Sequence, residues 1–234
     1  MDIALIIPAY NEEEWIGRTL DSVFSSTQSP FSEVVVVDNG STDRTAQIAA
    51  SYAGVRVISE VRRGTGFARD AGYRATTAPL IAYLDADTLL SASWARRVTR
   101  AFARDPKLAC VSGPYWFHDM PRVFSFTYVL LWHVVFPLFL MLPIFITGGN
   151  LAIRRSILDQ MGGFNTGIVF HGDEADLGRR AAVYGKVRPL WGLVLKSSGR
   201  RFKALGTLRM LATYMAYALG AGGMEHVQTY IEVR

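Results

Sequence analysis

Two carboxylates, Asp85 and Asp87, follow the apolar run 80–84 with one residue between them. A short run of this kind is typical of a buried strand, and an open parallel sheet binds its ligands at the carboxyl ends of its strands. Carboxylates at this spacing can share a divalent cation, which in turn can neutralise a diphosphate. The pair is also compatible with solvated loop residues, so the surrounding chain has to decide between the two interpretations.

The segments that would position these carboxylates alternate between strand and helix patterns. Four short apolar runs predict strands, at 3–7, 34–37, 55–58 and 80–84. Three segments between them predict helices, at 16–24, 44–52 and 66–76. Pro8 would end the first strand, and residues 41–43 would cap the second helix. This βαβαβαβ order predicts an α/β fold with a doubly wound, mostly parallel sheet flanked by helices.

Length and composition limit the number of domains and the classes of partner and site that this chain can have. The 234 residues suffice for one domain, or one domain with an appendage. Half of them are hydrophobic, and the mean hydropathy of +0.18 is high for a freely soluble protein. The net charge of +5 suits an anionic partner such as a nucleotide or a membrane surface, although an ordinary solubilising surface would look alike. Cys110 is the sole cysteine, which excludes an intrachain disulfide and a cysteine-based zinc site.

Two apolar stretches in the second half suggest a membrane. Residues 123–147 carry no formal charge, and their length would cross a bilayer once, since about 20 apolar residues suffice. Residues 210–224 form a shorter stretch preceded by basic residues, which suits a cytoplasmic membrane surface. Both stretches could instead be core helices of a soluble domain.

Five local motifs follow one another along the chain. They are Pro8-Ala9-Tyr10-Asn11-Glu12-Glu13, Val37-Asp38-Asn39-Gly40-Ser41-Thr42-Asp43, Arg63-Gly64-Thr65-Gly66-Phe67-Ala68-Arg69, Leu84-Asp85-Ala86-Asp87-Thr88 and Gly172-Asp173-Glu174-Ala175-Asp176-Leu177. In this order they resemble family 2 of the glycosyltransferases, inverting enzymes with the GT-A fold, over roughly residues 1–200. Within that family they resemble membrane-associated transferases of the polyprenyl-linked glycan and cellulose-synthase-like type.

The resemblance implies a nucleotide-sugar pocket. Residues of the first motif would line it: Pro8, Ala9, Tyr10 and Glu12. Asp38 would accept a hydrogen bond from the base, and Gly64 would allow close approach of the backbone. Arg69 would meet a phosphate or ribose. Read without the family, Asp38 also fits a turn former and Arg69 a solvated helix face.

The resemblance also assigns the metal. Asp87 would be the direct ligand of Mg²⁺ or Mn²⁺, and Asp85 a ribose or sugar contact able to share that cation. Ala86 lies between them in the same pocket wall. The cation would hold the diphosphate and stabilise the charge that develops as it leaves.

The base motif departs from the family pattern. The usual Glu-Asp pair is inverted to Asp173-Glu174, with Asp176, Leu177 and Arg179 in register. The position of the catalytic base is therefore Glu174, with Asp173 as the alternative. Acidic residues at a helix N-terminus, favoured by the helix dipole, are the competing interpretation.

Two further segments resemble parts of the family. Residues 147–155, with Gly148 and Gly149, match the loop beneath acceptor and donor sugar, although a tight turn would also need them. Residues 197–202, with Arg200 and Arg201, lie where membrane synthases contact the diphosphate. A basic face against lipid headgroups explains that segment equally.

The order of motifs constrains the apolar segment. A single crossing by residues 123–147 would put Asp87 and Glu174 on opposite sides of the membrane, and two crossings would need about 40 apolar residues. We therefore expect the segment to lie in the interface or to re-enter, with a break near Pro137 or Pro143. The chain then divides into a donor half, an interfacial segment, a base-carrying half and a membrane-associated C-terminal segment, at 1–122, 123–147, 148–202 and 203–234.

These observations predict a metal-dependent inverting glycosyltransferase. It would move a hexose from GDP-mannose or a UDP-hexose to a hydroxyl of a lipid-linked saccharide. The alternatives are a dolichyl- or polyprenyl-phosphate sugar synthase, a nucleotidyltransferase and a nucleotide-binding membrane scaffold. The N-terminal residues run directly into a strand, so we expect no signal peptide and a catalytic domain on the cytoplasmic side of the membrane. We expect no nucleic-acid partner.

Overall fold

The computed structural model describes residues 1–25, 30–132, 146–168, 172–207, 209–210 and 212. Its strands are β1 (Ile3–Ala9), β2 (Glu33–Asp38), β3 (Val55–Ser59), β4 (Leu80–Leu84), β5 (Thr88–Leu89), β6 (Leu108–Ser112), β7 (Tyr115–Phe117), β8 (Asn150–Arg154), β9 (Lys186–Pro189) and β10 (Leu195–Ser197). Its helices are α1 (Ile16–Val23), α2 (Thr45–Ala50), α3 (Thr65–Arg74), α4 (Trp94–Arg104), α5 (Arg122–Leu130), α6 (Arg155–Met161), α7 (Asp173–Tyr184) and α8 (Arg200–Leu205).

The main sheet has seven strands in the order β3-β2-β1-β4-β8-β6-β9. Strands β1 to β4 are parallel, and β8 runs antiparallel between β4 and β6. The four strands and three helices predicted in the first half are all present. The predicted α/β fold with a mostly parallel sheet is therefore confirmed.

Alternation along the strands builds a core on each face of the sheet. In β1, Leu5 and Ile7 belong to one apolar cluster, whereas Ala4 and Ile6 belong to the other. All four side chains are buried. A strand covered on both faces has to be apolar throughout, which is why β1 and β2 read as continuous hydrophobic runs.

The predicted end of the first strand at Pro8 is wrong. β1 continues to Ala9, and Pro8 is in register with Val37 of β2. On the other side, β4 pairs with β1 only as far as Ile6. Pro8 therefore removes no ladder hydrogen bond on that side, and its missing N–H is tolerated there.

Strand β8 joins the two predicted halves in one sheet. Leu84, the last residue of β4, is in register with Asn150, the first residue of β8. The carboxyl end of β4 therefore lies beside the segment that leads into β8. This antiparallel contact carries Gly148 and Gly149 to the position of Asp85.

Helix α5 covers the second sheet, which has the order β5-β10-β7. Phe124 and Tyr128 of α5 pack against Phe117 of β7 and Phe202 of α8. The opposite side of α5 exposes apolar side chains, with Val123 at 77%, Phe126 at 61% and Leu130 at 47%.

The rest of the predicted apolar segment, including the breaks at Pro137 and Pro143, lies outside the described residues, as does nearly all of 210–224. Among the helices that are described, none has both the length and the hydropathy to span a bilayer.

Candidate active site

The site lies at the carboxyl ends of β1, β2 and β4. Because β1 is parallel to the other two, the loop after Ala9, the end of β2 at Asp38 and Asp85 after β4 meet at one edge. Three of the five sequence motifs are thereby brought together.

The first two motifs are tied by hydrogen bonds. The Asn11 N–H donates to Ser41 Oγ (3.0 Å), and the Thr42 N–H donates to Asn11 Oδ1 (2.8 Å). Asn11 adopts a left-handed conformation with φ of 50°, which asparagine tolerates better than most residues. The Ser41 N–H donates to Asp38 Oδ1 (3.2 Å). The loop that carries Glu12 is thus held against the end of β2.

The third motif is tied to the second through Asn39. Its side-chain amide donates to the carbonyl oxygens of Glu60 (2.8 Å) and Arg62 (2.7 Å), and its Oδ1 accepts from the Gly64 N–H (2.9 Å). Gly64 has a φ of 140°, a conformation that a side chain would strain. This glycine therefore allows the sharp entry into α3.

Beside this loop, the Arg63 guanidinium carbon lies 3.2 Å from the centroid of the Tyr10 ring. This is a cation–π contact, and Arg63 Nη1 also donates to the Gly40 carbonyl oxygen over 3.4 Å, so the first and third motifs meet beside the second.

Arg69 is the centre of the site. Its side chain is 5% exposed; Nη1 pairs with Asp173 at the start of α7, and Nη2 lies 3.7 Å from Asp85 Oδ1. Burial alone would lower the pKa of Arg69, but Asp173, Glu174 and Asp85 together raise it, so the guanidinium stays charged. The guanidinium is directed to the carboxylates of Asp173 and Asp85, and the expected contact of Arg69 with a phosphate or ribose stays a prediction.

Asp85 is held from several sides. The Tyr115 hydroxyl donates to Asp85 Oδ2 over 2.9 Å, and a Cβ added to Gly149 would overlap the same carboxylate. Burial and the charge of Asp85 raise the pKa of Tyr115, which keeps its hydroxyl protonated as a donor. The sequence motifs did not reveal Tyr115; the only signal was an aromatic residue shortly after β6.

The two acidic residues that begin α7 have different surroundings. Asp173 is buried and neutralised by Arg69, and Thr65 Oγ1 donates to it over 3.4 Å. Desolvation and the neighbouring charge of Asp173 raise the pKa of Glu174 to about 7, with Asp85 adding to the rise and Arg69 opposing it. A Cβ on Gly148 would lie 2.6 Å from Glu174 Oε1, so this glycine leaves room for the carboxyl group.

Asp87 faces a different cation. Arg200 Nη2 lies 3.1 Å from Asp87 Oδ2, and the same nitrogen pairs with Glu12 Oε1. Arg200 comes from the far end of the chain, and Glu12 from the first motif. The cleft is therefore closed on this side by α8.

The sequence model described as glycosyl transferase family 2 matches residues 4–162. The chain belongs to this family. The match includes the motifs around Glu12, Asp38, Arg69 and Asp87, and it ends before the acidic pair that begins α7.

Named relatives cover only parts of this family 2 chain. Validoxylamine A glucosyltransferase of Streptomyces hygroscopicus subsp. limoneus is 33% identical over 126 residues, which are 51% of this chain and 28% of that protein. The uncharacterized glycosyltransferase EpsJ of Bacillus subtilis (strain 168) is 33% identical over 101 residues, which are 42% and 29%. The aligned regions thus span less than a third of either relative.

Solved structures match nearly the whole chain. Mannosyltransferase PcManGT from Pyrobaculum calidifontis, in complex with GDP-Man and Mn²⁺, has a TM-score of 0.67 and 26% identity, covering 94% of this chain and 65% of that one. Glucosyl-3-phosphoglycerate synthase from Mycobacterium tuberculosis, with Mn²⁺, UDP and phosphoglyceric acid, has a TM-score of 0.65 and 22% identity, covering 94% and 78%. Together with the sheet topology, these neighbours confirm the GT-A fold.

The carboxylates of this family 2 site fit a divalent cation that also binds phosphate. Within the described ranges, no three or more His, Cys, Asp and Glu side chains form a cluster that could hold a metal alone. Mg²⁺ and related ions commonly take one or two carboxylates and complete their shell with substrate phosphates. Asp87 already holds one cation, the Arg200 guanidinium, and Asp85 stands two residues away.

Proposed function

We propose that this protein is a metal-dependent, inverting hexosyltransferase that uses a nucleotide-diphospho-sugar donor and a lipid-linked saccharide acceptor. The observation that carries the proposal is the position of Arg69 between Asp85, which follows β4, and Asp173, which begins α7. The carboxylates of the early and late motifs thus meet at one arginine, which supports a transferase with separate donor and base motifs around one site.

The donor half is supported by the ends of β1 and β2. Asp38, an acceptor-only carboxylate, would read an N–H edge of guanine or uracil, and the Tyr10 ring would lie against the base. Pro8, Ala9 and Gly64 would bring the backbone close to the nucleotide. PcManGT is bound to GDP-Man and the phosphoglycerate synthase to UDP, so a GDP or a UDP donor is compatible with this fold.

Asp87, with Asp85, would hold Mg²⁺ or Mn²⁺, and the intervening Ala86 would line the same pocket. When bound, the ion would supply positive charge to the leaving diphosphate. Both neighbours named above contain Mn²⁺.

Glu174 would act as the general base. Its carboxylate takes the proton of the acceptor hydroxyl, the acceptor oxygen bonds to the anomeric carbon, and the bond from that carbon to the diphosphate oxygen breaks on the opposite face. A base with a pKa near 7 is suited to this transfer at neutral pH. Asp173 is the weaker candidate, because its buried carboxylate is already paired with the Arg69 guanidinium.

A hydroxyl acceptor is favoured over a polyprenyl phosphate. A phosphate acceptor is already ionised and needs no base, whereas the surroundings of Glu174 raise its proton affinity. The exposed apolar side of α5 and the exposed Arg122 at its start suit an anionic membrane surface, from which a lipid-linked acceptor would enter. We place the catalytic domain on the cytoplasmic side.

The test uses membranes from cells that express the full chain. They are incubated with radiolabelled GDP- and UDP-hexoses, with and without EDTA, and lipid extracts are scored for label. We expect one donor to label the lipid fraction, EDTA to abolish labelling, and added Mn²⁺ to restore it. Asp87→Ala should abolish labelling, whereas Asp2→Ala, an exposed acid outside the cleft, should not. Transfer that persists in EDTA or in Asp87→Ala would contradict a metal-dependent mechanism.

A further inference from the structure

The Arg200 guanidinium contacts Asp87, the carboxylate that is expected to bind the divalent metal ion. Arg200 Nη2 contacts Asp87 Oδ2 at 3.1 Å and also pairs with Glu12. The Glu12 side chain is 5% exposed and that of Asp87 is 12% exposed, so both carboxylates are largely withdrawn from solvent. Buried carboxylates are costly without a positive partner, and Arg200 supplies positive charge to both.

The backbone before Arg200 is fastened from outside the cleft. Asp119 accepts from the Gly199 N–H over 2.5 Å and from Ser198 Oγ over 3.1 Å. Lys203 Nζ, one helical turn further on, donates to the same carboxylate over 3.1 Å. The start of α8 is thereby anchored, and Arg200 reaches into the cleft on a side chain that can change its rotamer while the helix stays in place.

The Arg200 side chain keeps one unused donor. Its Nε is buried and has no hydrogen-bond partner among the residues that the structure describes. Arg200 is therefore only partly satisfied by Glu12 and Asp87. A guanidinium presents donors along two edges, so the other edge can accept an anion when the side chain turns.

We infer that Arg200 is a tethered cation that occupies Asp87 until a metal–nucleotide complex binds, and so prevents free metal from binding alone. This inference rests on the proposed function, because it assumes that Asp87 holds the metal. Arg200 and a divalent ion cannot share one Asp87 oxygen without strong repulsion, so Arg200 must leave Asp87 before a metal binds there. Arg200 then keeps its pairing with Glu12 and turns its free edge toward the incoming diphosphate.

The consequence is coupling between metal and nucleotide. For the ligand-free protein, metal binding includes the cost of displacing Arg200 from Asp87. A nucleoside diphosphate offsets this cost, because its oxygens bind the metal and give the displaced guanidinium an anionic partner. By linkage, the nucleotide must then tighten the metal by the same factor as the metal tightens the nucleotide.

The experiment measures Mn²⁺ binding to the purified full chain by electron paramagnetic resonance, without and with GDP or UDP. Arg200→Gln should bind free Mn²⁺ at least about tenfold more tightly than the parent protein, because the competing charge is gone. In Arg200→Gln, the factor by which GDP or UDP tightens Mn²⁺ binding should be smaller than in the parent by a similar amount. Lys203→Gln removes the same charge from the same helix but contacts Asp119 only, and its free Mn²⁺ affinity should stay within about twofold of the parent value.

Arg200→Lys provides a second variant in case the glutamine protein does not fold. A lysine keeps the charge but has a shorter side chain without the planar guanidinium, so its contact with Asp87 should be weaker and its free Mn²⁺ affinity should lie between those of the parent and Arg200→Gln. Unchanged free Mn²⁺ affinity in both Arg200 variants overturns the inference, as does an equal gain in Lys203→Gln. Because this readout needs no sugar transfer, a gain in affinity with no transfer from any donor supports the Arg200 switch and refutes the proposed function instead.

Discussion

Arg69 and Asp173 form a buried ion pair that joins α3 to the start of α7 across more than a hundred residues of sequence. The exposed fractions of the two side chains are 5% and 3%. The pair sets the position of Glu174, the next residue. Asp173 is paired with a cation, whereas Glu174 has a raised pKa. One buried arginine thus organises the late acidic motif around the end of β4.

Removing one partner of this pair should be costly. We expect Arg69→Met to lower the free energy of unfolding by about 3–5 kcal/mol, because an unpaired carboxylate is left in the core. The double variant Arg69→Met, Asp173→Leu should lose clearly less free energy of unfolding, because no unpaired carboxylate remains at position 173. Urea denaturation of the three proteins measures this, and a single variant within ~1 kcal/mol of the parent would show that Asp173 is solvated.

Substituting Glu174 should separate catalysis from binding. We expect Glu174→Gln to lower kcat at least about 100-fold with little change in the KM for the donor, because only the proton acceptor is lost. Asp173→Asn at the neighbouring position should lose stability through Arg69 and retain more activity. If Asp173→Asn has the lower kcat per folded molecule, the assignment of the two roles is reversed.

The activity should also depend on pH through Glu174. With a pKa of about 7, the carboxyl group is protonated in acid and cannot accept the acceptor proton. We therefore expect kcat/KM for the acceptor to fall as the pH decreases through about 7, with a limb that reports one proton. Initial rates between pH 5.5 and 8.5 at saturating donor would reveal a flat profile if another group were the base.

The same carboxyl group should affect stability in the opposite direction. Its folded pKa lies above the ordinary value of 4.5, so the folded state binds more protons than the unfolded state between these values. Stability should therefore fall as the pH rises from about 4.5 through about 7. Glu174→Gln should be more stable than the parent at pH 8, and this advantage should vanish below pH 4.5. Thermal melts of both proteins at the two pH values would measure it, and an advantage that is constant with pH would argue against titration of Glu174.

Tyr115→Phe removes the hydroxyl that donates to Asp85. Losing one hydrogen bond to this partly exposed carboxylate should weaken donor binding by about fivefold to tenfold. Tyr52→Phe is the matched control, because Tyr52 donates to Asp21 and Gly17, in α1. Equilibrium binding of GDP and UDP in the presence of Mn²⁺ would distinguish them, and equal losses in both variants would indicate a general effect on folding.

The exposed side of α5 should bind membranes. We expect the triple change Val123→Ser, Phe126→Ser, Leu130→Ser to reduce co-sedimentation with phosphatidylcholine vesicles containing phosphatidylglycerol by about tenfold or more, since each apolar side chain contributes about 1.5–3 kcal/mol when buried. Val183, near the C-terminal end of α7, is as exposed as Val123 but lies on a different helix. Val183→Ser should therefore have little effect on vesicle binding. Retained vesicle binding by the triple variant would place the membrane contact elsewhere.

Much of the fold and several site positions followed from local patterns in the sequence. The apolar run of β4, bounded by Asp85, is typical of a strand, because a strand buried on both faces excludes polar residues along its length. The parallel order of β1, β2 and β4 then requires Asp38 and Asp85 to emerge at one edge. The continuation of β1 past Pro8 was missed, because a proline is tolerated there only if β4 has stopped pairing with β1, and the sequence does not show where that pairing stops.

Only the tertiary structure decided which charges meet. A lone arginine such as Arg69 can point to solvent, phosphate or a buried acid, and its burial against Asp173 depends on how α7 returns to the sheet. The same holds for Arg200, which reaches Asp87 only because α8 packs beside the cleft, and for Tyr115, which follows a strand separated from β4 by β8. Periodicity is written in neighbouring residues and can be read locally. Pairing between distant charges is set by the packing of whole elements, so the sequence alone determined the carboxylates that are available, and the fold determined their partners.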